Sequence, residues 1–109
     1  MNMLWLLIAC AQDDAPQRAI RITGPMDGDE FHRGDEVHVF VELDAFDASR
    51  EDGLELHWDS EEGEHSKEYE LCEASDMSDT ADVVGNTKIT MTLHGEDGDV
   101  SDSITVHVH

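Results

Sequence analysis

From Ala19 onward the large apolar residues recur at every second position. Ile20 and Ile22 alternate with Arg21 and Thr23. Val37, Val39, Val41 and Leu43 alternate with His38, Phe40 and Glu42. Leu54, Leu56 and Trp58 form a third run, and Tyr69 with Leu71 a weaker fourth. Ile89, Met91 and Leu93 alternate with Thr90, Thr92 and His94. Ile104, Val106 and Val108 alternate with Thr105, His107 and His109. Successive side chains of a strand point to opposite faces, so most of these runs have one apolar and one polar face. That pattern belongs to an antiparallel sheet with one side in water. No segment shows sustained helical spacing, and no capping residue leads into an apolar stripe of helical period.

Turn residues punctuate the runs. Gly24-Pro25 ends the first, and Asp27-Gly28-Asp29 and Arg33-Gly34-Asp35 flank a short segment holding Phe31. The stretch from Glu73 to Asp82 is irregular, with Met77 its only large apolar residue, and reads as a loop. Six or seven short strands in about 90 residues predict an antiparallel β-sandwich.

The first ten residues follow another pattern. Met3 to Ile8 are apolar, Ala9-Cys10 follow, and the chain turns polar at Gln12, Asp13 and Asp14. The run is too short to span a bilayer, which takes roughly 20 apolar residues. The quartet Leu7-Ile8-Ala9-Cys10 resembles the lipobox of bacterial lipoproteins. The resemblance implies a signal peptide over residues 1–9 and an acylated Cys10, palmitate being one such acyl group. Residues 10–18 are then the acylated cysteine and tether, and residues 19–109 the folded domain. Stable anchoring needs more than one acyl chain, and the lipoprotein family carries three. Ala11, rather than Asp, after the cysteine implies passage to the outer membrane of the cell envelope, on its periplasmic or surface face. Residues 11–18 reach about 25–28 Å when extended.

The order of the remaining pieces also carries a resemblance. The chain reads IRITGPMDGDEFHRGDEVHVFVELDA, then LELHWDSEEGE, then VVGNTKITMTLHGEDGDVSDSITVHV. This resembles bacterial immunoglobulin-like domains, including polycystic-kidney-disease-type (PKD) modules, over residues 20–108. Its most specific parts are Gly34-Asp35, Trp58 and the segment from Gly85 to Ile89. The PKD signature carries an aromatic after Trp-Asp, where this chain has Ser60, so the broader immunoglobulin-like label fits better. The resemblance implies an immunoglobulin-like antiparallel β-sandwich of about seven strands, without the inter-sheet disulfide of antibody domains, so that Trp58 fills the inter-sheet core against valines and leucines alone.

Composition narrows the partners. The chain has 109 residues, enough for one domain. It carries 27 acidic against six basic residues, a formal charge of −21. Nucleic acid is excluded as a general partner, because phosphate binding needs clustered Lys and Arg. Three readings of the acidity stay open: a solvated surface, adaptation to high salt, and divalent-cation binding. If Cys10 is acylated, Cys72 has no partner for a disulfide. Cys72 is expected as a small apolar residue in a strand, with Glu70 and Glu73 disfavouring a reactive thiolate.

In an immunoglobulin-like topology the loops after the second and sixth strands share one end of the sandwich. One holds Asp44, Asp47, Glu51 and Asp52, the other Glu96, Asp97 and Asp99 around Gly98. Calcium takes six to eight oxygen ligands, and Asp44, Asp47, Asp97 and Asp99 are the candidates. Asp and Gly are also ordinary turn residues. His57, His94, His107 and His109 fall on outward positions of strands expected in one sheet. His107 and His109 share a face, but a transition metal needs three or four converging ligands. No serine sits in a Gly-x-Ser-x-Gly elbow, and no Gly-rich phosphate loop is present. The expectation is a non-catalytic cell-envelope lipoprotein presenting its domain to a protein or glycan. The alternative is a calcium-binding module using the acidic loops.

Overall fold

The computed structural model describes residues 18–46, 48–96 and 98–109. Their strands are β1 (Ala19–Gly24), β2 (Glu30–Phe31), β3 (Glu36–Asp44), β4 (Glu51–Ser60), β5 (Glu64–Tyr69), β6 (Met77–Thr80), β7 (Gly85–Gly95) and β8 (Val100–Val108). They form a three-stranded sheet, β1-β3-β6, and a five-stranded sheet, β2-β8-β7-β4-β5. Every described pairing is antiparallel except β2 with β8. The cis Gly24-Pro25 peptide lies where the chain leaves β1 for β2, in the other sheet.

The two-residue alternation dictates which face is covered. Ile20, Ile22, Val37, Val39 and Met77 are buried on the smaller sheet. Leu54, Leu56, Trp58, Tyr69, Ile89, Met91, Leu93, Val106 and Val108 are buried on the larger one. Thr87 is also buried, its hydroxyl donating to the Gly85 carbonyl at 3.0 Å. Burying such side chains contributes about 1.5–3 kcal/mol each, which makes this face the source of cohesion.

Three local expectations are corrected. The stretch from Glu73 to Asp82 is not all loop: β6 pairs with β3, placing Met77 opposite Val39. One buried apolar anchor suffices there because the ladder with β3 satisfies the backbone. Leu71 does not extend β5 but opens a 3-10 turn, Leu71–Glu73. Cys72 lies in that turn and is exposed, not an apolar strand residue. The turn directs its side chain outward, with Sγ 3.7 Å from Glu70 Oε2.

β5 and β6 belong to different sheets, and side chains join them across the open flank. His65, Lys67 and Tyr69 share one face of β5. Lys67 Nζ donates to the Ser78 carbonyl at 3.3 Å, and the Tyr69 hydroxyl donates to the same oxygen. His65 Nε2 lies 3.1 Å from Asp79 Oδ2, which also accepts from Trp58 Nε1 at 3.1 Å. The Trp58 and His65 rings stack with centroids 5.6 Å apart. Trp58 is fully buried, but its surroundings are not valines and leucines alone. An indole N–H needs a partner when buried, and Asp79 supplies it.

Candidate functional site

The two acidic connections meet at the end where the chain enters β1. The Glu96 amide donates to the Arg50 carbonyl at 2.9 Å, and Arg50 Nε donates to Glu96 at 3.3 Å. Arg18 donates through Nε and Nη2 to the two Glu51 oxygens, at 2.9 and 2.6 Å. Its Nη1 donates to the Gly98 carbonyl at 2.8 Å. The Glu51 side chain is fully buried and that of Arg18 is 16% exposed. A Cβ at position 95 would run into both groups, so Gly95 leaves the room they occupy. A guanidinium thus supplies positive charge between these acidic segments.

Of the four predicted calcium ligands, Asp44 and Asp99 line different depressions. Asp44 ends β3 and lines a depression with Ala19, Ile20, Arg21, Glu42 and Asp102. Asp102 is engaged, accepting the Ile22 amide at 2.9 Å. Asp99 lines a different depression, of about 630 Å³. Asp47 and Asp97, like Cys10, lie outside the described residues.

The depression at Asp99 is strongly acidic. The start of β4 gives Asp52, Gly53, Leu54 and Glu55, and the end of β5 gives Glu68 and Tyr69, followed by Glu70. Glu73, His94 and Asp99 complete it. Six of these ten residues are carboxylates. Glu55 and Glu68 stand directly opposite each other across the β4–β5 pair, where like charges repel. His94 offsets part of this. Its Nε2 lies 2.9 Å from Glu55 Oε1 and its Nδ1 3.0 Å from Asp99 Oδ2. The hydrogen bond to Glu55 raises the imidazole pKa most; desolvation opposes it, and Asp99 adds to the rise. Protonated His94 donates from both nitrogens and ties the β7–β8 connection to β4. The Tyr69 phenol is pushed up to about 12, by burial first and then by the Asp79 and Glu73 charges. It stays a neutral donor to Ser78.

Of the four histidines singled out in the sequence, His57, His94 and His107 lie in one sheet and His109 directly follows its last strand, but they fall in three groups. His94 belongs to the acidic depression. His57 sits by Asp59 and Glu64 at the β4–β5 hairpin, with ligand atoms within 4.8 Å of one another. His107 and His109 lie at the far end of β8, ring centroids 4.5 Å apart. Glu55, Glu68, Glu70 and Glu73 had no sequence signal as a group. Glu55 and His94 are 39 positions apart, and only the β4–β7 register joins them.

No family model matches this sequence, and no curated protein matches it. Solved structures do match. An endo-β-1,4-mannanase from Thermotoga petrophila aligns over 90% of this chain with a TM-score of 0.52 and 19% identity. This chain spans only 21% of that enzyme's length. A fibronectin(III)-like module of Clostridium thermocellum CbhA aligns over 82% of this chain and 93% of its own, with a TM-score of 0.50 and 14% identity. The fold is an immunoglobulin-like, fibronectin(III)-like β-sandwich. Within that sandwich the acidic depression lies at the edge of the five-stranded sheet, beside β5 and the turn that follows it.

Proposed function

We propose that this chain is a non-catalytic recognition module of the bacterial cell envelope, held there by a lipid on Cys10. The observation that supports it most is the acidic depression at one edge of a rigid sandwich. Carboxylates accept hydrogen bonds from amines, guanidinium groups and sugar hydroxyls. Such a surface suits a basic protein patch or a polyhydroxylated glycan, and its field steers cationic partners toward it. The likeness to a fibronectin(III)-like module accords with a presenting role. The chain enters β1 at the end that carries Arg18 and the acidic connections, so the anchor would hold that end toward the membrane.

Calcium binding is the second reading. Asp52, Glu55 and Asp99 line one depression, and these carboxylates are the oxygens a hard cation would meet there.

The first reading is tested in an envelope-bearing host. Wild-type chain is expected to take up a clickable fatty acid and fractionate with membranes, while Cys10→Ser loses both. Label retained by Cys10→Ser overturns the anchor. For recognition, a photo-crosslinker at position 70 is expected to capture an envelope partner. Capture is expected to fall at least tenfold when Glu55, Glu68 and Glu73 are changed to Gln. Equal capture by that variant overturns the role of the depression.

A further inference from the structure

We propose that Glu30, His32, His107 and His109 form a binding site for a divalent transition-metal ion such as zinc, independent of the acidic depression. Two short spacings, Glu30-x-His32 and His107-x-His109, are laid side by side by the one parallel pairing among the described strands. Glu30 pairs with His107 and Phe31 with Val108. Phe31 packs against the core and Val108 is buried in it, so the residues flanking them face outward. The chain continues the pairing to His32 beside His109. The His109 amide donates to Phe31 O, and the Arg33 amide to His109 O, both at 2.9 Å. The His107 amide donates to Asp29 O at 2.9 Å. Backbone ladder bonds therefore fix where all four side chains emerge.

The spacing of the rings fits one ion. Two imidazoles on a tetrahedral zinc, with Zn–N bonds of about 2.0–2.1 Å, hold their ring centroids roughly 5 Å apart. The His107 and His109 rings are 4.5 Å apart at 68°, and the His32 and His109 rings 5.6 Å apart at 42°. Glu30 Oε1 reaches His109 Nε2 at 2.6 Å, which brings a carboxylate to that ring. The four ligand atoms are not gathered as the side chains stand, so holding one ion requires the exposed imidazoles to rotate inward.

A second feature points to a metal ligand. His107 Nδ1 lies 2.9 Å from Asn86 Oδ1 on β7. An amide oxygen only accepts, so Nδ1 donates in this contact, and the neutral imidazole then presents its Nε2 lone pair. Ligating histidines characteristically donate their other N–H in this way. Three imidazoles and one carboxylate suit zinc, copper or nickel, whereas calcium and magnesium prefer all-oxygen shells. The His57, Asp59 and Glu64 group offers only one imidazole and is the internal comparison.

The test is zinc binding by the full-length, tag-free chain in equilibrium dialysis. One zinc per chain is expected. His32→Ala and His109→Ala should each weaken binding at least roughly tenfold, and Asn86→Ala by about the same factor through its ligand. His57→Ala and His94→Ala should leave affinity unchanged. The altered side chains are exposed or half-exposed, and a cooperative melting transition without metal establishes that each variant is folded. Absence of stoichiometric zinc binding overturns the proposal. So does a loss of affinity in His57→Ala that His32→Ala does not share.

Discussion

Two residues carry more than their local share. Trp58 closes the core and also donates to Asp79, linking the two sheets. Trp58→Ala is expected to cost about 3–5 kcal/mol, read from urea unfolding; an unchanged midpoint would contradict the core placement. Trp58→Phe keeps most of the apolar volume and leaves Asp79 one donor short, so it should cost less. His94 makes stability depend on pH. Its folded pKa is raised, chiefly by the Glu55 hydrogen bond. The contribution is therefore full below the unfolded value, about 6.5, and fades as pH rises through the higher folded value. The thermal midpoint of the wild type should fall across that window more steeply than that of His94→Gln. Parallel curves would show that the imidazole bridge contributes nothing. The burial of Trp58 followed from its place in an alternating run. The carboxylates around His94 did not, because they lie on outward positions where any polar residue is accommodated.

At the scale of elements, the strands that bury alternating apolar side chains were legible and the others were not. β1, β3, β4, β7 and β8 each bury at least two apolar side chains at alternate positions, which is the signal that periodicity detects. β6 buries only Met77 among its four residues and is a strand because β3 offers it a ladder. β5 is held at the flank by Tyr69 and Lys67 on one carbonyl. The start of β4 depends on Gly53, where the register against β7 shifts. Gly53 has φ of +150°, and a Cβ there would lie 2.9 Å from the Tyr69 carbonyl oxygen. Backbone atoms cannot swing aside as a side chain can, so Gly53→Ala should destabilise by about 1–3 kcal/mol. Gly63→Ala meets open space and should stay within about 0.5 kcal/mol of wild type. Chemical denaturation of both variants checks the contrast, and equal stabilities would remove the close approach from the account.

At the scale of the molecule, a charge of −21 makes the folded state repel itself, and salt should raise its melting midpoint by screening. Sodium, magnesium and calcium chlorides at matched ionic strength separate this from site binding. A specific site adds stability by mass action, about 2.7 kcal/mol at a hundredfold excess over Kd. The recognition reading expects the three salts to act alike. A midpoint in calcium well above both controls would move the calcium reading first.

The sequence by itself determined the class of fold, the inward face of each long strand, the turns and the acidic character. All of these are local: alternation follows from the strand backbone, and charge from composition. Only the tertiary structure decided which distant positions became neighbours. It set Glu30 beside His109, 79 positions away, by pairing β2 in parallel with β8. It set Glu55 beside His94 through the β4–β7 register, and it put Arg18 between the acidic loops. Lateral pairing is chosen by hydrogen bonding and core packing between remote segments. Outward polar residues follow wherever that pairing takes them, and their own order along the chain carries no trace of it.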